Sequence, residues 1–71
     1  MDPIQLNDVL ARRRIDGLYE ICQRTQKCDV FLEGPYSRRA AETRLRALAH
    51  EHGFDSWIQQ LDGYYRFLEP D

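Results

Sequence analysis

Residues 37–53, SRRAAETRLRALAHEHG, decide the fold. Ser37 can accept a hydrogen bond from a free N–H of a first helical turn. Ala41, Leu45, Leu48 and Ala49 then recur at intervals of four, three and one, forming a single apolar stripe, while Arg38, Arg39, Glu42, Arg46 and Glu51 fall on other faces. Arg38 with Glu42 and Glu42 with Arg46 are i,i+4 pairs of opposite charge, each contributing about 0.3 kcal/mol. His50 and His52 stand in the last turn, where the helix dipole favours a cation, and Gly53 is a left-handed stop. The stretch predicts a helix of about four turns.

Outward from it, Val30-Phe31-Leu32 is a short β-branched and aromatic run stopped by Gly34-Pro35, which reads as a strand entering a turn. On the other side Phe54 is placed to pack back on the helix. Trp57, Gln59 and Leu61 then alternate with Ile58 and Gln60, and Tyr64 to Leu68 form a second strand-like run. Asp62-Gly63 between them is a hairpin signal, on the expectation that both turn residues tolerate positive φ. Upstream, Asp2 as cap, Pro3 at the first helical position and Gln5 reaching back read as a helix start. Leu6, Val9 and Leu10, and again Ile15, Leu18, Ile21 and Cys22, fall at helical spacings. A helix from Pro3 to Gln26 is expected, with Asp16-Gly17 either a weak point costing about 1 kcal/mol or a break and restart. The order is then helix, strand, helix, strand, strand: an α+β fold with a small three-stranded, antiparallel-type sheet and both helices on one face.

Seventy-one residues make one small domain, 1–71, which buries only about 60% of the surface its unfolded chain exposes and has little room for a deep pocket. No run approaches the ~18 apolar residues of a membrane span, and Met1-Asp2-Pro3 lacks the basic and then apolar pattern of an export signal. Cytoplasmic residence and no membrane partner are therefore expected. Cys22 and Cys28 accordingly read first as free thiols. A net charge of −2 gives no global attraction for a phosphate backbone, so no nucleic acid partner is expected. Arg12, Arg13 and Arg14 would point roughly 100° apart around a helix. With Asp8, Asp16 and Glu20 nearby they read as a solvated surface laced with salt bridges.

Alternation in the hairpin places Tyr65, Phe67 and Ile58 on one face, and Tyr64, Arg66, Leu68, Trp57 and Gln59 on the other. A helix-free sheet face carrying Trp57, Gln59, Tyr64 and Arg66 is a platform for a sugar strand, a peptide or a second copy. It is equally read as a Trp57–Tyr64 cross-strand pair that only stabilises the hairpin. The strand Val30 to Glu33, with Leu32 at its centre, is short and apolar enough to pair along a sheet edge. No metal is expected: His50 and His52 diverge by about 200° on a helix, and Cys22 and Cys28 lack a finger spacing. No cofactor is expected either, since Gly34-Pro35 lacks the further glycines and lysine of a phosphate loop. Without a nucleophile signature or a water-excluding cleft, the chain reads as a non-enzyme.

From Val30 to Phe67 the pattern Gly34-Pro35-Tyr36, Arg39-Ala40-Ala41-Glu42-Thr43, Leu45-Arg46-Ala47-Leu48-Ala49, Gly53-Phe54-Asp55-Ser56 and Gly63-Tyr64-Tyr65-Arg66-Phe67 resembles the first half of a SPOR (sporulation-related repeat) domain. The resemblance implies a ferredoxin-like sheet with helices on one face, and binding of septal peptidoglycan strands lacking stem peptides on the other, in a bacterial or phage context. Tyr64 and Arg66 would be the matching sheet-face residues. Leu32 stands where the family usually has a glutamine. The family's second helix and fourth strand do not follow the hairpin, and the N-terminal helix would take the missing helix's place, as in a permutation. Two functions are therefore expected of a binding module: protein interaction or self-association through the sheet face or edge, or SPOR-like glycan binding.

Overall fold

The computed structural model describes residues 3–70. Its elements are β1 (Val9–Arg13), β2 (Tyr19–Arg24), β3 (Asp29–Tyr36), α1 (Arg38–His52), β4 (Ser56–Gln59) and β5 (Tyr65–Phe67). They form one mixed sheet in the order β3-β2-β1-β4-β5, with α1 across one face. Neighbouring strands are antiparallel except β1 and β4, which run parallel because α1 carries the chain back along the sheet between β3 and β4.

The expectation of two helices over a three-stranded, antiparallel-type sheet is overturned: the molecule has one helix and five strands in a mixed sheet. The expected helix over Pro3 to Gln26 is instead a segment with a turn, then β1 and β2. The helical spacing misled because these strands are covered on both faces. Val9, Ala11, Tyr19 and Ile21 lie under α1, while Leu10 and Cys22 are buried on the far side, so adjacent apolar residues serve opposite faces. Asp16-Gly17, weighed above as a flaw in a helix, lies in the turn joining β1 to β2. The proposed cap Asp2 lies outside the described residues.

α1 forms as its sequence dictates. The Ser37 hydroxyl accepts the Ala40 N–H at 3.2 Å. Gly53, at φ 73°, closes the other end by donating its N–H to the Ala49 carbonyl. Ala41, Leu45 and Leu48 pack onto Val9, Ala11, Tyr19, Ile21, Ile58 and Leu68 to make the main core. Each fully buried Leu or Ile there contributes about 1.5–3 kcal/mol. Arg38 and Glu42 make the expected i,i+4 pair, at 3.7 Å.

β3 does not stop at Gly34-Pro35 but runs through to Tyr36, absorbing two register shifts against β2 and containing a cis Gly34–Pro35 peptide. Gly34 sits at φ 134°, and a Cβ there would stand 3.1 Å from the Tyr19 carbonyl oxygen. Only glycine lets β3 approach β2 so closely while bulged.

Candidate functional site

The sheet face opposite α1 carries one continuous cross-strand row. Phe31, Cys22, Leu10, Trp57 and Phe67 are successive partners across all five strands. Leu10 and Cys22 in its middle are fully buried, whereas Phe31 and Phe67 at the two ends are exposed. Trp57 meets Phe67 edge-on, with ring centroids 5.4 Å apart. The row is flanked on one side by the Arg12–Glu20 cross-strand ion pair at 3.0 Å and by Gln59 opposite Tyr65. On the other side stands the Arg24–Asp29 pair, at 2.6 Å.

What buries the middle of the row is the segment before β1. Ile4 packs on Leu10 and Cys22, and Trp57 and Tyr65 close around them. The segment is held by backbone and side-chain bonds together. Asn7, at φ 76°, donates its N–H to the Arg24 carbonyl at 2.9 Å. Asp8 is 6% exposed, and its Oδ2 accepts both the Gln5 N–H at 3.0 Å and the Trp57 indole N–H at 2.9 Å. Two donors on one carboxylate oxygen fasten the segment to the sheet. Both cysteines are free thiols, and burial pushes the Cys22 thiol up from its ordinary pKa.

The faces expected for the hairpin are corrected by one residue. Gln60 and Tyr64 flank a loop of three residues, Leu61, Asp62 and Gly63, in which Gly63 at φ 92° is the only one with positive φ. A two-residue turn at Asp62-Gly63 would oppose Trp57 to Leu68 and Gln59 to Arg66; the third loop residue moves the register, so Trp57 opposes Phe67 and Gln59 opposes Tyr65. Trp57 and Gln59 therefore share the open face with Tyr65 and Phe67. Ile58 and Leu68 are buried beneath α1, Arg66 lies opposite Ile58 on the helix side, and Tyr64 projects from the end of the turn.

Leu32 lies at the sheet edge on the helix side, above a groove it shares with Leu48, His52 and Phe54. It belongs to a run in which Val30, Phe31 and Leu32 are 45%, 52% and 43% exposed. Beyond them the β3 edge pairs with no other strand among the described residues. Glu33, next along, accepts hydrogen bonds from the Arg44 guanidinium and from the Tyr36 hydroxyl, which hold its carboxyl below the ordinary glutamate range. The triple arginine is laced with salt bridges as expected, though on a strand and turn: Arg12 binds Glu20, and Arg14 binds Asp16 at 3.1 Å.

Thus the structure keeps Trp57 and Gln59 together, separates Tyr64 and Arg66 from them, and places Leu32 at the opposite edge. Missed in the sequence were Phe31, Tyr65 and Phe67 as open-face residues and the Ile4–Asp8 cover. Comparison with known protein families, curated proteins and solved structures finds no match. Among the described residues, no helix is long and apolar enough to cross a membrane.

Proposed function

We propose that the chain is a non-enzymatic protein-binding module that pairs along β3 with a second copy of itself. The observation that carries this reading is the β3 edge: three consecutive exposed apolar residues, Val30, Phe31 and Leu32, on a strand with no outer partner among the described residues. Sheet proteins ordinarily blunt such edges with lysine, proline, a bulge or a covering segment; β3 has its bulge and Pro35 toward its C-terminal end, and Val30 to Leu32 remain exposed before them. An edge left apolar offers a row of main-chain donors and acceptors together with side-chain burial on both faces.

Two-fold antiparallel pairing centred on Phe31 sets Phe31 against its own copy and Val30 against Leu32. Asp29 and Glu33 then fall opposite in register but on different faces of the sheet, because the bulge turns Glu33 to the helix side. Each is already paired within its own chain, to Arg24 and Arg44, so no uncompensated charge is brought together. The open-face row would run on from one copy into the next through the two Phe31 rings.

Sedimentation equilibrium across a wide concentration range tests the pairing. A concentration-dependent dimer is expected, abolished by Phe31→Lys with the thermal transition retained, since Phe31 is half exposed. A chain that stays monomeric at every concentration overturns the proposal.

A second reading has its own support. Trp57, Tyr65, Phe67 and Gln59 give the open face aromatic rings beside an amide, a combination suited to stacking on sugars. Pelleting with peptidoglycan sacculi that rises after amidase removal of stem peptides, and falls in Phe67→Ala, is the expected result for glycan binding. Equal pelleting before and after stripping would set that reading aside.

A further inference from the structure

Two turns of the molecule are built alike. Residues 14–18, RIDGL, join β1 to β2, and residues 60–64, QLDGY, join β4 to β5. In the first, Gly17 donates its N–H to the Arg14 carbonyl at 3.0 Å, Arg14 donates to the Leu18 carbonyl at 2.7 Å, and the Asp16 carboxylate accepts the Leu18 N–H at 3.0 Å. In the second, Gly63 donates to Gln60 at 3.0 Å, Gln60 donates to Tyr64 at 2.8 Å, and Asp62 accepts the Tyr64 N–H at 3.0 Å. Gly17 and Gly63 take matching left-handed φ values of 87° and 92°.

The parallel pairing of β1 with β4 brings these turns to the same end of the sheet, side by side. The Arg13 N–H donates to Gln59 Oε1 at 2.9 Å, tying one hairpin to the other just below the tips. With strands about 4.8 Å apart, the two hairpin midlines stand roughly 10 Å from each other.

Each turn puts a large aliphatic side chain where turns ordinarily carry small polar ones. Ile15 is fully exposed and Leu61 is 79% exposed, with Tyr64 beside it at 76%. Neither aliphatic residue contributes to either core, so the fold gains nothing from them. Around them stand four arginines, of which Arg14 pairs with Asp16 and Arg38 with Glu42. Arg13 and Arg14 flank one tip, Arg38 and Arg66 line a shallow cleft with Leu61 and Asp62 at the other, and α1 points its N-terminus, without an acid in the first turn, to the same end. The two aspartates are folded back on their own turns, Asp16 also pairing with Arg14.

We infer that this end of the sheet docks on an anionic lipid bilayer, with Ile15 and Leu61 entering the interface as paired wedges. Rigid turns present the aliphatic groups without an ordering cost, Tyr64 suits headgroup depth, and the set-back arginines reach lipid phosphates. A protein partner would need two pockets about 10 Å apart with acidic rims, whereas a bilayer accepts any spacing. The carboxylates confine the insertion to the interface. This contact uses a surface separate from β3, and it departs from the expectation of no membrane partner, which rested on the lack of a span and of an export signal.

Co-sedimentation with phosphatidylcholine vesicles, with and without phosphatidylglycerol, tests it. Partitioning is expected to rise about tenfold or more with the anionic lipid. Ile15→Ser with Leu61→Ser should return it to the neutral-vesicle level, and Arg13→Gln with Arg66→Gln should remove the dependence on anionic lipid. Because the substituted groups are exposed, the thermal transition of each variant should match that of the parent chain. No binding to anionic vesicles overturns the inference, as does binding that the aliphatic substitutions leave unchanged.

Discussion

Replacing Asp8 by alanine removes the single oxygen that holds both the Gln5 N–H and the Trp57 indole. Hydrogen bonds to a charged acceptor contribute roughly 1.5–3 kcal/mol each, and truncation also relieves the cost of burying a carboxylate, leaving a net loss of about 2–3 kcal/mol. In a domain of this size, with a total stability of about 5 kcal/mol, that is half of what holds the fold. Urea unfolding should show the loss directly, and the melting midpoint should fall by about 10–20 °C. A second readout follows from what the bonds hold in place. With the segment released, Ile4 lifts from Leu10 and Cys22, and the buried thiol becomes reachable. Cys28 is exposed and labels fast in either form, so Cys22 is the slow phase of a thiol-reagent time course. That phase should accelerate, and Trp57 emission should shift to the red. Asp8→Asn keeps an amide oxygen with two lone pairs for the two donors, loses only the charge on the acceptor, and should lose about half as much. A variant Asp8→Ala within about 0.5 kcal/mol of the parent, with the slow phase unchanged, would refute the reasoning.

Other perturbations test other joints of the molecule. Gly34→Ala forces a Cβ against the Tyr19 carbonyl at an unfavourable φ and should cost about 1–3 kcal/mol by chemical denaturation. Leu45→Ala empties the centre of the helix–sheet core and should cost about 2–5 kcal/mol, close to abolishing the fold. Ser37→Ala removes the α1 cap for about 1 kcal/mol. The Glu33 carboxyl is held low, chiefly by Arg44, so its contribution is present above the ordinary glutamate pKa of about 4.3 and is lost as pH falls through its lower folded value. Unfolding of Glu33→Gln and the parent chain should therefore differ at neutral pH and converge in acid below that range.

The helix and the turn at its far side were legible because their signals are local. Ser37, the 41-45-48 stripe and Gly53 each act within a few residues, and nothing distant contests them. The β1–β2 hairpin was not legible, because strands buried on both faces lose the alternation that marks a strand; with Val9-Leu10 and Ile21-Cys22 adjacent, helical spacing fits as well. Asp-Gly was read as a turn at residues 62–63, between aromatic runs, and as a helix flaw at residues 16–17, beside three arginines. The same local geometry forms at both. One residue decided the candidate face: Leu61 belongs to the loop, and counting it as strand moved Tyr64, Arg66 and Leu68 to the wrong side. Long-range placement of Ile4 and Asp8 against Trp57 had no local signature at all.

The directions of the outermost strands bear on how copies of the chain can assemble. Counting across the sheet, β3 and β5 run opposite ways. A two-fold pairing of β3 with β3 closes on itself and stops at two. Copies related by translation alone, however, would set β3 antiparallel to the β5 of a neighbour, an arrangement that repeats without end as a ribbon. β5 offers only three residues to such a neighbour, and Pro70, just beyond it, has no N–H to give. If β3 pairs as proposed, the short β5 edge with a proline beyond it disfavours continuation into a fibre.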